Sequence, residues 1–259
     1  MSHIRSDQVV TSALRDSDLG IPDDLNAAKH GVAVKTIRRW REEYQVCGRP
    51  RGQKHLQARC PRCENVSLEG AAYAELLGWY LGDGHISRAR RDVYALHIYN
   101  DLKYVDLNAH IQDLMRRVKP DSRPHTREMP GCLNTTVSWK HWPCLLPQHG
   151  PGRKHERKLT LEPWQQEVIE HFPADFLRGL FHSDGCRAKN WATRMVAGEK
   201  KRYEYPRWQF TNNSADIMRW CQETLDLLDI PWRQSYWKTL SVSKKAGVAR
   251  LDELIGLKS

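Results

Sequence analysis

AAYAELLGWYLGDGHIS, residues 71–87, and FPADFLRGLFHSDGCRA, residues 172–188, are two versions of one pattern, and that repetition decides the fold. Each is an apolar run of helical length closing on Asp-Gly, with Asp83 and Asp184 standing 101 positions apart. Asp-Gly alone is a common helix-stop and turn signal. Here it follows small residues spaced by four, Gly78 and Gly82 in one copy, Gly179 and Ser183 in the other. Such a stripe lets two helix backbones approach closely, so the two helices are expected to pack on each other and bring Asp83 and Asp184 side by side. Two carboxylates at helix C-termini repel each other and face the negative ends of both dipoles. A hard divalent cation, Mg2+ or Mn2+, held by their oxygens would relieve both.

Outward from these helices the correspondence continues. DVYALHIYN (92–100) and PRWQFTN (206–212) read as strands ending in asparagine, followed by amphipathic helices over 105–118 and 214–228. LNTTVSWKHWPCLL (133–146) and KTLSVSKKAGVARLDEL (238–254) each read as a strand leading into a helix. The spacing from Asp184 to Asn212 is 28 residues against 17 from Asp83 to Asn100, which predicts a longer hairpin near Val196 to Arg202 in the second copy. A helical linker over Pro163 to His171 joins the copies. The predicted class is α+β: a first repeat over 70–155, and a linker helix with a second repeat over 156–259, each αββαββα.

LLGWYLGDG (76–84) and LRGLFHSDG (177–185) resemble the motif of the LAGLIDADG homing endonucleases in their single-chain, two-motif form. Leu81 and His182 stand at the motif's first, variable acidic position, and Asp83 and Asp184 at its second. The resemblance implies a monomer with internal pseudo-two-fold symmetry, whose antiparallel saddle lies along double-stranded DNA. It implies metal-dependent hydrolysis of both strands, with metal held by Asp83, Asp184 and the preceding Gly82 and Ser183. It further implies water-ordering roles for Asn100 and Asn212. A basic residue near the scissile phosphate would be Lys140 in one copy and Lys245 in the other, with Lys244 competing for the second role. DNA-reading candidates on alternating strands are His97, Tyr99, Arg207, Gln209, Gln234 and Tyr236. A non-cleaving transcription regulator of the same fold and an RNA-splicing maturase are the alternatives.

The N-terminal segment, 1–47, contains NAAKHGVAVKTIRRWREE (26–43), which reads as helix, tight turn, helix and resembles the helix-turn-helix of transposases and regulators. Lys35, Arg38, Arg39 and Arg41 would meet phosphates while Ile37 and Trp40 pack inward. A basic linker over 48–69 carries Cys60 and Cys63, half of a candidate zinc site, with Cys47 and His55 as conceivable partners. The other histidines read as scattered. A net charge of +10 over 259 residues favours a polyanionic partner, because neutralised phosphates release counterions. Seven cysteines at irregular spacing argue against a secreted disulfide framework. With no apolar leader in MSHIRSDQ and no membrane-length apolar run, a cytoplasmic protein is expected.

Overall fold

Ten consecutive residues of one helix, Ala72 to Leu81, are buried, and this follows from where that helix lies. A helix that is apolar on every face has to be covered on every face. In the computed structural model, which describes residues 5–47 and 60–258, α5 (Gly70–Leu81) packs against α9 (Pro173–Asp184), α6 (Val105–Val118) and α8 (Pro163–His171). The closest approach is at the glycines: a Cβ placed on Gly179 would lie 2.1 Å from the Glu75 carbonyl oxygen and 2.9 Å from Gly78 Cα. Only hydrogen fits there, so the small-residue stripe brings the two backbones into contact as the spacing predicts.

The chain divides into two units, 1–58 and 59–259. In the first, α1 (Asp7–Asp18), α2 (Asp23–Lys29) and α3 (Val34–Cys47) enclose Val10, Ala13, Ala27, Ile37 and Trp40. Gly31, at φ +60°, makes the turn between α2 and α3. Buried Asn26 donates to the Ala13 carbonyl oxygen and the Ser17 hydroxyl, and Asp16 holds Lys29 and His30.

The second unit contains two copies of one arrangement. Ahead of the first lies the short helix α4 (Pro61–Glu64). The first copy then runs α5, β1 (Gly84–Arg88), β2 (Tyr94–Asp101), α6, β3 (His125–Met129), β4 (Cys132–Trp139) and α7 (Trp142–Leu145). The second, after α8, runs α9, β5 (Gly185–Val196), β6 (Glu199–Thr211), α10 (Ala215–Leu227), β7 (Arg233–Tyr236), β8 (Thr239–Val242) and α11 (Lys245–Ile255). Strand orders are β1-β2-β4-β3 and β5-β6-β8-β7, antiparallel throughout, so both copies are αββαββα with the same topology. The longer hairpin of the second copy is β5–β6, paired out to Val196 and Glu199.

Alternation divides each sheet into a packed and an open face. Leu96 and Ile98 of β2, and Trp208 and Phe210 of β6, face the helices and are fully buried. Among the described residues no helix is long and apolar enough to cross a membrane. Of the conceivable partners for the Cys60–Cys63 pair, His55 and the Cys47 side chain lie outside the described residues; among the described residues the side chains beside the pair are His141 and Cys144.

Candidate active site

The two small-residue helices end together. A Cβ on Gly82 would stand 2.0 Å from the Ser183 hydroxyl and 3.1 Å from Asp184 Oδ2, so the carboxylate of one helix lies against the last turn of the other. Asp83 is exposed at its helix end, yet the surrounding protein removes enough water to hold its carboxyl above the usual range, against the pull of Lys258 and Lys154. Asp184 is pushed further, to about 6, by burial and then by the charge of Asp83, with Asn212 and both lysines opposing. The charge of Asp83 thus reaches the Asp184 carboxyl, as expected of neighbouring acids.

Asn212, just beyond β6, donates from Nδ2 to Asp184 Oδ2 at 2.7 Å and accepts the Ser214 backbone N–H at 2.7 Å, so it fixes one carboxylate from the sheet side. Asn100 departs from this symmetry. It is buried and its amide donates to Asn108 Oδ1 at 3.1 Å, directed at α6 instead of Asp83. The α6 residue Asn108 captures it by also donating to the Asp101 carbonyl oxygen at 3.1 Å.

The basic residues beside the carboxylates differ from those expected. Lys140 lies exposed beyond β4, where its charge acts on Asp92, and Lys245 is exposed in the first turn of α11, next to Lys244. Lys154 and Lys258 face the pair instead. Lys154 Nζ lies within hydrogen-bond distance of four carbonyl oxygens, those of Leu81, Gly82 and Gly84 at 2.7, 2.8 and 2.8 Å and that of Tyr80, among which its three N–H groups are shared. Lys258 Nζ reaches the Ser183 carbonyl oxygen at 3.3 Å. Each lysine follows the last helix of its repeat and returns to cap the first, where unpaired carbonyls and the negative dipole end attract a cation. Burial lowers the Lys154 ammonium to about 8, although Asp184 and Asp83 hold it up.

No composition or periodicity marks these two lysines: Lys154 opens a short 3-10 turn (Lys154–Glu156) and Lys258 lies beyond α11. The one signal was their matching place, each shortly after a closing helix. Beside Lys154 the loop contributes His149, Arg153, His155 and Arg157 to a groove of about 570 Å³ that reaches Asp184 and Asn212. Histidines 149 and 155, which the sequence left scattered, therefore line this groove.

The expected reading residues divide as follows. His97 and Tyr99 lie on the open face of the first sheet, stacked with His85 at ring separations of 4.6 and 5.6 Å. His97 Nδ1 is within hydrogen-bond distance of Thr136 Oγ1 and Asn134 Nδ2, and its Nε2 of Ser87 Oγ. Arg207 and Gln209 are half-buried and alternate with buried Trp208 and Phe210, which puts them on the open face of the second sheet. Tyr236 is exposed. The Gln234 amide is used within the protein: it donates to the Tyr236 and Trp237 carbonyl oxygens and accepts from Gln222. In the first unit Arg38 and Arg41 hold Asp23, while Lys35 and Arg39 are exposed.

His182, in the motif's first acidic position, is buried against Trp79 and held neutral, its ring lowered to about 4 chiefly by burial. Glu75 is buried across the same helix pair, with His110 at 2.7 Å and Arg178 at 3.4 Å. Burial would raise its carboxyl, and these two cationic partners more than offset that.

Solved structures similar to this chain are LAGLIDADG homing endonucleases. I-DmoI in complex with DNA and Mn is 14% identical, with 73% of this chain and 98% of that one covered at a TM-score of 0.48. I-AabMI bound to uncleaved DNA is 14% identical, covering 70% and 82% at 0.44. I-CpaMI bound to uncleaved DNA is 9% identical, covering 72% and 85% at 0.44. No protein-family model and no curated protein sequence matches. The fold itself is read from the two αββαββα repeats and their identical strand orders.

Proposed function

We propose that this chain is a site-specific double-stranded DNA endonuclease of the LAGLIDADG homing type, acting as a pseudo-symmetric monomer. One observation carries the reading: Asp83 and Asp184 end two helices in backbone contact, close enough that the charge of one raises the other. Paired carboxylates in a net basic protein cost stability unless a cation joins them.

The donor set fits Mg2+ or Mn2+, since it consists of hard oxygens: the two carboxylates, with the Gly82 and Ser183 carbonyls beside them. Bound there with a phosphodiester, the metal supplies Lewis acidity and stabilises the attacking and leaving oxygens. The protein's own residues do the rest. Asn212 fixes the rotamer of Asp184, and Lys154 and Lys258 place positive charge where a scissile phosphate gains negative charge. The open sheet faces, through His97, Tyr99, Arg207 and Gln209, reach base edges in the major groove. The N-terminal helices, through Lys35 and Arg39, add phosphate contacts.

A non-cleaving DNA-binding regulator is the second reading, favoured by Lys154, whose ammonium takes the Gly82 carbonyl that a metal would use. Incubating the protein with DNA that joins the sequences flanking its own gene, with Mg2+ and with chelator, separates the two. Metal-dependent double-strand breaks, lost in Asp83→Asn and Asp184→Asn with binding retained, support the nuclease. Tight binding by the unmodified protein without cutting would sink it.

A further inference from the structure

Remote from the carboxylate pair in sequence and in its partners, a second cluster joins two short helices. Cys60 is the N-cap of α4 and Cys63 lies within it; His141 is the N-cap of α7 and Cys144 lies within that. Each pair is three residues apart, so one helical turn puts both of its members on one face. Their ligand atoms, three sulfurs and an imidazole nitrogen, all fall within 4.8 Å of one another.

The spacings among Cys63, His141 and Cys144 match one face of a tetrahedron, and Cys60 lies within 4.8 Å of each. With zinc–sulfur bonds of about 2.3 Å and zinc–nitrogen bonds of about 2.1 Å, the tetrahedron's edges are about 3.8 Å between sulfurs and about 3.6 Å between sulfur and nitrogen. The Cys63 and Cys144 sulfurs are 3.6 Å apart, and His141 Nδ1 lies 3.5 Å from Cys63 Sγ and 3.7 Å from Cys144 Sγ. A disulfide between Cys63 and Cys144 would need a separation of about 2.05 Å, far shorter. The second pair is rigid: Trp142 is fully buried and its indole donates to the Val137 carbonyl oxygen at 2.8 Å.

We infer that Cys60, Cys63, His141 and Cys144 form a structural Zn2+ site that fastens α4, ahead of the first motif helix, to α7 at the end of the same repeat. Three thiolates and an imidazole in tetrahedral array select zinc among abundant divalent ions, while the oxygen-rich carboxylate pair selects Mg2+. On binding, each thiol gives up its proton to solvent. All four positions are filled by protein, so the site is closed to catalysis. The inference is independent of the nuclease reading.

Elemental analysis of protein expressed with added zinc and desalted should find about one zinc per chain. Replacement by Co2+ should give the intense visible bands of a tetrahedral ion and a thiolate charge-transfer band. Both signals should vanish in the Cys63→Ser/Cys144→Ser double variant and persist in Asp83→Asn/Asp184→Asn. Removing zinc with chelator should lower the Tm, and added Zn2+, but not Mg2+, should restore it. Wild-type protein without zinc, or with a Cys63–Cys144 disulfide in its peptide map, overturns the inference without any need for a folded variant. So does zinc that is lost with the two aspartates and kept without the cysteines.

Discussion

Gly179→Ala tests the helix contact that brings the carboxylates together. The added methyl would lie 2.1 Å from the Glu75 carbonyl oxygen, 2.8 Å from Trp79 N and 2.9 Å from Gly78 Cα. All three are backbone atoms, so no side chain can turn aside, and ordinary contact at roughly 3.5 Å requires the helices to part by about 1 Å. Overpacking of this kind costs about 3 kcal/mol, while alanine gains about 1 kcal/mol over glycine within a helix. The net loss is about 2 kcal/mol, a fall in Tm of roughly 4–8 °C for a unit of this size. Because Asp83 and Asp184 stand at the ends of these helices, a displacement of about 1 Å should also slow cleavage about 100-fold. The assays are thermal melting and single-turnover cleavage, with Gly131→Ala for comparison. At φ +80° with no atom near its missing Cβ, Gly131 should cost on the order of 1 kcal/mol and leave cleavage unchanged. A Gly179→Ala protein that melts higher than its parent, as an unobstructed helix would, refutes the close packing.

Lys154→Met and Lys258→Met should each reduce cleavage about 100-fold, against less than about threefold for Lys140→Met and Lys245→Met; equal losses in all four, by single-turnover rates, would contradict the placement. His110 is held above its ordinary 6.5 chiefly by its bond to Glu75, so its contribution to stability is complete below that pH and is lost as pH rises through the raised value. Denaturant melts across neutral pH should show that decline in the parent and not in His110→Gln. Asp184 keeps its proton up to about 6 in the folded chain and only to its ordinary 3.8 when unfolded, so metal-free stability falls as pH rises between those values. Asp184→Asn should remove that fall and raise the metal-free Tm at pH 8, and an unchanged Tm would refute it.

How much was legible follows from what is periodic. The αββαββα repeat, the boundaries of α6 and α8, and the extended β5–β6 hairpin follow from alternation, apolar spacing and a repeat of 101 residues. The four-residue cluster is half visible in the sequence: Cys60 and Cys63 form a CxxC pair, but HWPC at 141–144, with its own spacing of three, sits in a strand-to-helix junction that masks it. Asn100 and Asn212 occupy equivalent places in sequence, and one neighbouring side chain, Asn108, draws Asn100 away.

The sequence by itself determined which elements form and that two aspartates end matching helices, because local periodicity and backbone sterics depend only on near neighbours. Which cations oppose those aspartates was decided by tertiary structure alone. Lys154, which opens a short 3-10 turn (Lys154–Glu156), and Lys258, beyond α11, lie about 70 residues or more from the carbonyls they cap, and attraction to a helix end acts on them only once the fold has brought them beside it.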